Sequence, residues 1–164
     1  MPYSVLSIDP GYDRLGVAVI KKENGRESLV HSDCITSSKK LTHPKRLALI
    51  GETLKKLIGE YAPNAIAVEK LFFNMNQKTA FSVAESRGVI LYEAGRADIS
   101  VYEYTPGEIK AAVTGHGRSD KKQVETMVEK ILSIKKDISY DDEYDAIAVG
   151  LAHMSLYRAK DLDK

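Results

Sequence analysis

Residues 65–68 restrict the fold of this chain more than any other segment. The run reads Ala-Ile-Ala-Val, with Pro63 and Asn64 before it and Glu69 after it. A short apolar run without polar alternation is typical of a central strand that helices cover on both faces. We therefore expect an α/β fold in which Glu69 stands at the carboxyl end of a central strand.

Strand and helix signals occupy most of the remaining chain. Three antiparallel strands are predicted at residues 3–8, 15–20 and 27–35, with Asn24-Gly25 as a tight turn, and another strand at residues 100–104. Apolar spacing predicts helices at about residues 45–61, 77–97, 121–132 and 142–157, and Thr105-Pro106 opens one more. This order predicts a five-stranded mixed sheet, with three antiparallel and then parallel strands, flanked by helices on both faces.

The chain length of 164 residues suits one domain. We place that domain at residues 1–158 and interpret residues 159–164 as a short C-terminal tail. No apolar run approaches the roughly 18–20 residues of a membrane span, and the first residues lack the pattern of a signal peptide. Cys34 has no second cysteine with which to pair. We expect a cytoplasmic protein without a membrane partner.

Two carboxylates follow predicted strands directly. Asp9 precedes the sharp turn Pro10-Gly11, and Glu69 follows the central strand. Open α/β sheets bind their ligands beyond the carboxyl ends of the strands, which favours a functional role for both acids. Considered without the other acids, Asp9 also has a purely structural explanation, because an Asp side chain in such a turn often hydrogen-bonds its own backbone.

Two more carboxylates, Asp142 and Asp145, stand three residues apart at the start of the last helix. Residues at this spacing share one helix face. The following residues, 146–152, are apolar nearly all round, so this helix should be buried. Acids at a helix start also suit the helix dipole, and we assign Asp141 and Glu143 to that role.

Together the four acids point to metal chemistry. Clustered carboxylates raise one another's pKa unless a cation neutralises them. Oxygen ligands favour Mg²⁺, with Mn²⁺ as a substitute, over zinc. Two such ions about 4 Å apart can activate water and stabilise the leaving oxygen of a phosphodiester. We predict a phosphodiester hydrolase with two Mg²⁺ ions.

The net charge of +1 argues against an extended basic surface for nucleic acid. If four acidic residues are metal ligands, 24 basic residues face 19 remaining acidic residues, which gives the rest of the protein a net charge of about +5. The bases cluster at three places, which either bind phosphates or are solvated faces: Lys39-Lys40 with Lys45-Arg46, Arg118 with Lys121-Lys122, and Lys130 with Lys135-Lys136.

Five segments resemble the bacterial RuvC family of Holliday-junction resolvases and span about residues 5–153: Ser7-Ile-Asp9-Pro-Gly11, Ala67-Val-Glu69, Ala84-Glu-Ser-Arg87-Gly88, Thr114-Gly-His-Gly-Arg-Ser-Asp-Lys-Lys-Gln-Val124 and Asp142-Glu-Tyr-Asp145-Ala146. The resemblance implies a ribonuclease-H-like fold and a Mg²⁺-dependent homodimer. It further implies paired nicks in a four-way DNA junction, in recombination and repair. RuvA- and RuvB-type branch-migration proteins are the implied partners.

The resemblance also implies roles for individual residues. Asp9, Glu69, Asp142 and Asp145 match the family's metal ligands, although some members carry His at the position of Asp142. An aromatic residue matching Phe72 stacks on an unpaired base, and Phe73 is the alternative. Matches to Lys110 and Lys121 lie near the scissile phosphate, and we assign DNA binding to Arg118 and Lys122 as well. His153 lies about 11 Å beyond Asp145 on an ideal helix, which favours a core position with its hydrogen bonds satisfied.

A seam of mostly small residues on the second predicted helix offers a surface for the homodimer: Ala80, Ala84, Gly88, Leu91 and Gly95. Packing of this seam against the sheet is the alternative. A two-fold dimer would match the near two-fold symmetry of a four-way junction.

Three other functions are open to this pattern. A related family implicated in ribosomal-RNA precursor processing shares the motif around Asp9, but the Asp142/Asp145 pair and the loop at 118–123 favour a resolvase. A non-catalytic junction-binding protein would lack one or more of the four acids. A sugar kinase or actin-like ATPase needs two such domains, and this chain is too short.

Overall fold

The computed structural model of the protein describes residues 2–11, 13–70 and 77–161. Its strands are β1 (Tyr3–Asp9), β2 (Arg14–Glu23), β3 (Arg26–Thr36), β4 (Ala65–Glu69) and β5 (Ser100–Tyr104). Its helices are α1 (His43–Tyr61), α2 (Gln77–Arg96), α3 (Pro106–Thr114), α4 (Lys121–Leu132) and α5 (Asp141–Asp161). None of these helices combines the length and the apolarity that crossing a membrane requires.

The five strands form one mixed sheet in the order β3-β2-β1-β4-β5. β2 is antiparallel to both β1 and β3, whereas β4 is parallel to β1 and to β5. Consequently β1, β3, β4 and β5 all end at the same side of the sheet, which we call the carboxyl edge. The predicted topology is confirmed.

Helices cover both faces of this sheet. Val5 and Ala67 point into a core formed with α3, α4 and α5, whereas Leu6 and Val68 point into a core formed with α1 and α2. Neighbouring residues of a strand face opposite sides, so the two cores share β1 and β4. The apolar run at residues 65–68 is buried throughout, as the sequence predicts.

Helix α5 lies unusually close to the strands, and two glycines permit this approach. A Cβ on Gly16 would lie 1.9 Å from the carbonyl oxygen of Asp142, and one on Gly150 would lie 2.7 Å from Ser7 Oγ. A side chain on Gly16 would collide with backbone, whereas one on Gly150 would require the Ser7 and Ile20 side chains to move. The glycines therefore fix the height of α5 above β1 and β2.

Turn residues determine where several strands and helices end. The predicted end of the last helix is wrong. Asn24 and Gly25 have φ values of 51° and 79°, as a two-residue hairpin turn requires. Helix α5 continues to Asp161, beyond the predicted end at residue 157 and across the boundary that we placed at 158. Residues 158–160, Arg-Ala-Lys, all favour helix and contain no stop signal.

Candidate active site

Asp9 and Glu69 lie side by side at the carboxyl edge. Their strands are parallel neighbours with Ile8 opposite Val68, which places the two acids at the next position. Because side chains alternate, both acids point toward the face that α5 covers. Both side chains are partly buried.

The start of α5 brings the other two acids to the same place. Gly16 pairs with Asp9 across β1 and β2, and the backbone of Asp142 packs directly on Gly16. Asp145 lies one turn further along and shares a cleft with Glu69. The structure thus brings together all four acids that the sequence singled out.

Burial and electrostatic repulsion raise the pKa values of the acids in this cluster. Burial raises the pKa of Asp9 well above its ordinary value, and the carboxylates of Glu69, Asp145 and Asp142 raise it further. Burial and Asp145 raise the pKa of Glu69, against the opposing charge of Lys110. Burial likewise raises the pKa values of Asp142 and Asp145. Each acid is therefore harder to ionise in the folded protein than in water.

Two cations face the start of α5. Arg14 Nε lies 3.0 Å from Asp142 Oδ2, and Lys121 Nζ lies 3.4 Å from Asp145 Oδ2. Lys121 also contacts Asp141 and lowers the pKa of that acid to about 2. Arg14 was not predicted as a site residue and Asp141 was assigned only a dipole role, because neither residue carries a local sequence signal for these ion pairs.

A cleft of about 290 Å³ lies beside the acids. Glu69 and Asp145 line it together with Lys110 and Lys121, the two lysines that the resemblance implies near the scissile phosphate. A cleft of this size can admit a phosphodiester group next to the acids. The remaining lining residues are Pro106, Ile109, Val124 and Ala148.

Lys122 and Arg118, which are also predicted to bind DNA, do not line this cleft. Lys122 lines a neighbouring cleft of about 360 Å³ with His116 and Asp120. Arg118 is exposed in the turn between α3 and α4. Phe72 and Phe73 lie outside the described residues, so their roles stay predictions.

The donor set suits a hard divalent cation. In the described part of the chain, no three His, Cys, Asp or Glu side chains are arranged around one metal position, and Arg14 and Lys121 face Asp142 and Asp145 instead. Yet the cluster offers only carboxylate oxygens, each with a raised pKa, and Asp142 Oδ2 is buried without accepting a hydrogen bond. Such oxygens fit Mg²⁺ once the acidic side chains turn away from Arg14 and Lys121.

His153 belongs to the core, as the sequence analysis favoured. Its side chain is fully buried, and Nε2 and Nδ1 lie 2.9 Å from the hydroxyl oxygens of Tyr3 and Tyr104, respectively. The ring also lies nearly parallel to the rings of Tyr3 and Tyr157, which stack on each other. His153 therefore ties α5 to β1 and β5 below the acids.

Comparison with known proteins identifies the family. The model of the family described as crossover junction endodeoxyribonuclease RuvC matches residues 5–153. The chain belongs to the RuvC family. The RuvC of Syntrophomonas wolfei is 46% identical over 154 residues, which cover 94% of this chain and 90% of the relative. The Thermosipho melanesiensis RuvC is 45% identical and covers 88% and 92%.

A solved structure agrees with this assignment. The structure of T. thermophilus RuvC in complex with a Holliday junction substrate superposes with a TM-score of 0.90 at 30% identity and covers 96% of both chains. The predicted ribonuclease-H-like fold and the RuvC resemblance are thus confirmed. The protein is an endodeoxyribonuclease, a hydrolase that acts on DNA.

Proposed function

We propose that the protein resolves four-way DNA junctions by paired, symmetric nicks through Mg²⁺-dependent phosphodiester hydrolysis, in recombination and repair. The observation that carries the proposal is the convergence of Asp9, Glu69, Asp142 and Asp145 at the carboxyl edge. A RuvC relative has been solved with a Holliday junction substrate. Conversion of a junction into two duplexes requires two nicks, one in each of two opposed strands.

The four acids would hold two Mg²⁺ ions, and Mn²⁺ would substitute. When bound, such ions polarise the phosphodiester and lower the pKa of the attacking water. Lys110 and Lys121 line the same cleft as Glu69 and Asp145. Their fixed charges would orient the scissile phosphate and offset the charge that develops in the transition state.

Other residues would select the junction over plain duplex DNA. Phe72 follows Glu69 by three residues, and an aromatic ring there would stack on a base unpaired at the crossover, for about 1–3 kcal/mol. Lys122 and Arg118, at the neighbouring cleft and turn, would bind phosphates of an adjacent arm.

Helix α2 supports a homodimer. Ile90 and Ala94 pack on the sheet and are fully buried, whereas Gly88 and Gly95 of the predicted seam are exposed. The outward face also carries exposed apolar side chains: Phe81 at 82%, Tyr92 at 62% and Leu91 at 36%. This distribution favours contact with a second copy over packing of the seam within the chain.

A two-fold dimer would place one active site at each of two opposed strands. The homodimer would act in the cytoplasm with branch-migration proteins of the RuvA and RuvB type. Such proteins would supply a junction whose crossover has moved to a cleavable position.

A cleavage assay with a mobile four-way junction tests the proposal. The wild-type protein with Mg²⁺ should nick the junction symmetrically and leave duplex, flap and structured RNA substrates intact. Asp145→Asn should bind the junction but fail to nick it, because a carboxylate of the cluster is lost. Asp98→Asn, at an exposed acid that precedes β5 at the end of the strand opposite to the carboxyl edge, should behave as wild type. Preferred cleavage of RNA, or full cleavage by Asp145→Asn, would overturn the assignment.

A further inference from the structure

One basic segment has no part in the active site described above. Residues 34–51 contain no Asp or Glu, although the chain as a whole has nearly equal numbers of acids and bases. The same segment contains Lys39, Lys40, His43, Lys45 and Arg46. The imbalance concentrates positive charge between β3 and the first turns of α1.

The topology places this segment at the carboxyl edge. β3 ends at Thr36, on the same side as the ends of β1 and β4, and α1 begins there at His43. Strands lie about 4.8 Å apart, so β3 is about 10 Å from β1 across the sheet. The segment therefore flanks the acids on the side opposite to Lys110 and α3.

Three of the basic side chains in this segment are available to a ligand. Lys39, Lys40 and Lys45 are exposed, and none of them forms an ion pair with another described residue. By contrast, His43 contacts Glu85 and Arg46 contacts Asp13. We call Lys39, Lys40 and Lys45 the lysine patch.

The backbone under the lysine patch is held in place. The carbonyl oxygen of Asp13 accepts hydrogen bonds from the backbone N–H of Ser37 at 3.0 Å and from its hydroxyl at 3.3 Å. Arg46, itself buried, donates to the Asp13 carboxylate at 2.6 Å. Since Asp13 lies in the turn that follows Asp9, the patch and the active site share one scaffold.

The start of α1 adds a second anion-attracting feature. Its N-cap Thr42 makes no side-chain capping bond, and the first turn contains no acid. The N–H groups of a helix start carry partial positive charge and bind phosphate readily. Pro44 in the first turn has no N–H and Glu85 contacts His43 there, so the lysine side chains supply most of the attraction for one phosphate or two successive ones.

We propose that the lysine patch is a second DNA contact, which binds the sugar–phosphate backbone of a junction arm beside the active site. The inference rests on the proposed function. The patch lies past β3, on the side of the sheet that α1 covers, so a junction arm that reaches it from the active site must pass the ends of β1 and β3, which are about 10 Å apart. Contacts there are to phosphate, so they add affinity for any base sequence.

The salt dependence of junction binding tests this proposal. We would measure the dissociation constant without divalent ions at several salt concentrations, for wild type and for Lys39→Gln/Lys40→Gln/Lys45→Gln. Each lost phosphate contact reduces the slope of log K against log salt by about 0.9, so the triple variant should lose about 2–3. The control Lys55→Gln/Lys56→Gln lies near the other end of α1 and is equally exposed. Its slope should equal that of the wild type.

Neutral methylphosphonates placed one at a time on either side of the cut locate the contact. At the contacted positions they should weaken binding by wild type at least tenfold more than binding by the triple variant. An unchanged slope in the triple variant, or equal sensitivity of both proteins to the methylphosphonates, would overturn the proposal. If wild type neither binds nor nicks the junction, the proposed function itself fails, which is a distinct result. Thermal unfolding of each variant confirms that the fold is intact.

Discussion

Gly16 is the point at which the strand acids and the helix acids meet. It pairs with Asp9 in the sheet, and an added Cβ would lie 1.9 Å from the carbonyl oxygen of Asp142 and 3.2 Å from Ala146 Cβ. Cβ atoms essentially never come closer than 3.0 Å to such atoms, so Gly16→Ala must separate α5 from β2 by about 1 Å. The change moves Asp142 and Asp145 relative to Asp9 without altering any acid.

Both activity and stability should respond to this shift. A 1 Å misplacement of reacting groups can cost about 100-fold in rate, and we expect nicking by Gly16→Ala to fall at least that far. Overpacking costs about 1–3 kcal/mol, which for a chain of this length lowers Tm by about 2–12 °C. Junction binding without metal should change little, because phosphate contacts lie outside this interface.

Single-turnover nicking of a labelled junction at saturating protein, together with thermal unfolding, measures these effects. Gly59→Ala in α1 is the control: nothing lies within 4 Å of its added Cβ, so nicking should stay unchanged and stability should rise by about 0.5–1 kcal/mol. Gly150→Ala meets Ser7 and Ile20 side chains, and should lower Tm with a smaller loss of nicking. Nicking by Gly16→Ala within about threefold of wild type would refute the argument that Gly16 positions the acids.

Three further predictions concern single side chains. Because the pKa of Asp9 is raised, the folded state binds its proton more tightly than the unfolded state does, so the contribution of Asp9 to stability is full below the unfolded pKa of about 3.9 and is lost as pH rises through the raised folded value. Metal-free protein should therefore melt at lower temperature as pH rises from about 4 to 8, Asp9→Asn should weaken this dependence, and a flat wild-type Tm would contradict the expectation. His153→Leu removes hydrogen bonds to Tyr3 and Tyr104 and should cost about 1–3 kcal/mol in chemical denaturation, while nicking at 25 °C persists; loss of nicking with the fold intact would give His153 an active-site role. Lys110→Ala should reduce nicking by roughly 100-fold without changing Tm, whereas exposed Lys130→Ala should match wild type, and equal rates for both variants would remove Lys110 from the active site.

The sequence predicted elements whose signals are local. Asn24-Gly25 fixes a turn, and the apolar run before Glu69 fixes a buried strand, because both depend only on neighbouring residues. The end of α5 was predicted less well, since no Gly or Pro stops the helix near residue 157.

Ion pairs between distant residues could not be predicted in the same way. Arg14 reaches Asp142 only because β2 passes under α5, and a lone base at a strand start carries no sign of that contact. Glu143 was interpreted as a dipole acid, but it is buried, accepts a hydrogen bond from Ser32 at 2.7 Å and pairs with Lys136. These partners are far apart in sequence, so their register becomes known only from the assembled sheet and helix.

Sequence patterns could identify the four acids as candidates, but they could not show that the four side chains lie together in the fold. Asp9 and Glu69 follow strands that are adjacent and parallel, so the sheet order brings them together across 60 residues of sequence. Asp142 and Asp145 reach them only because Gly16 lets α5 approach the sheet. Burial raises the pKa of every one of these acids and neighbouring carboxylates raise it further, an unfavourable arrangement for folding alone. A fold that maintains it beside a cleft that can admit a phosphodiester group is consistent with selection for a bound cation rather than for stability.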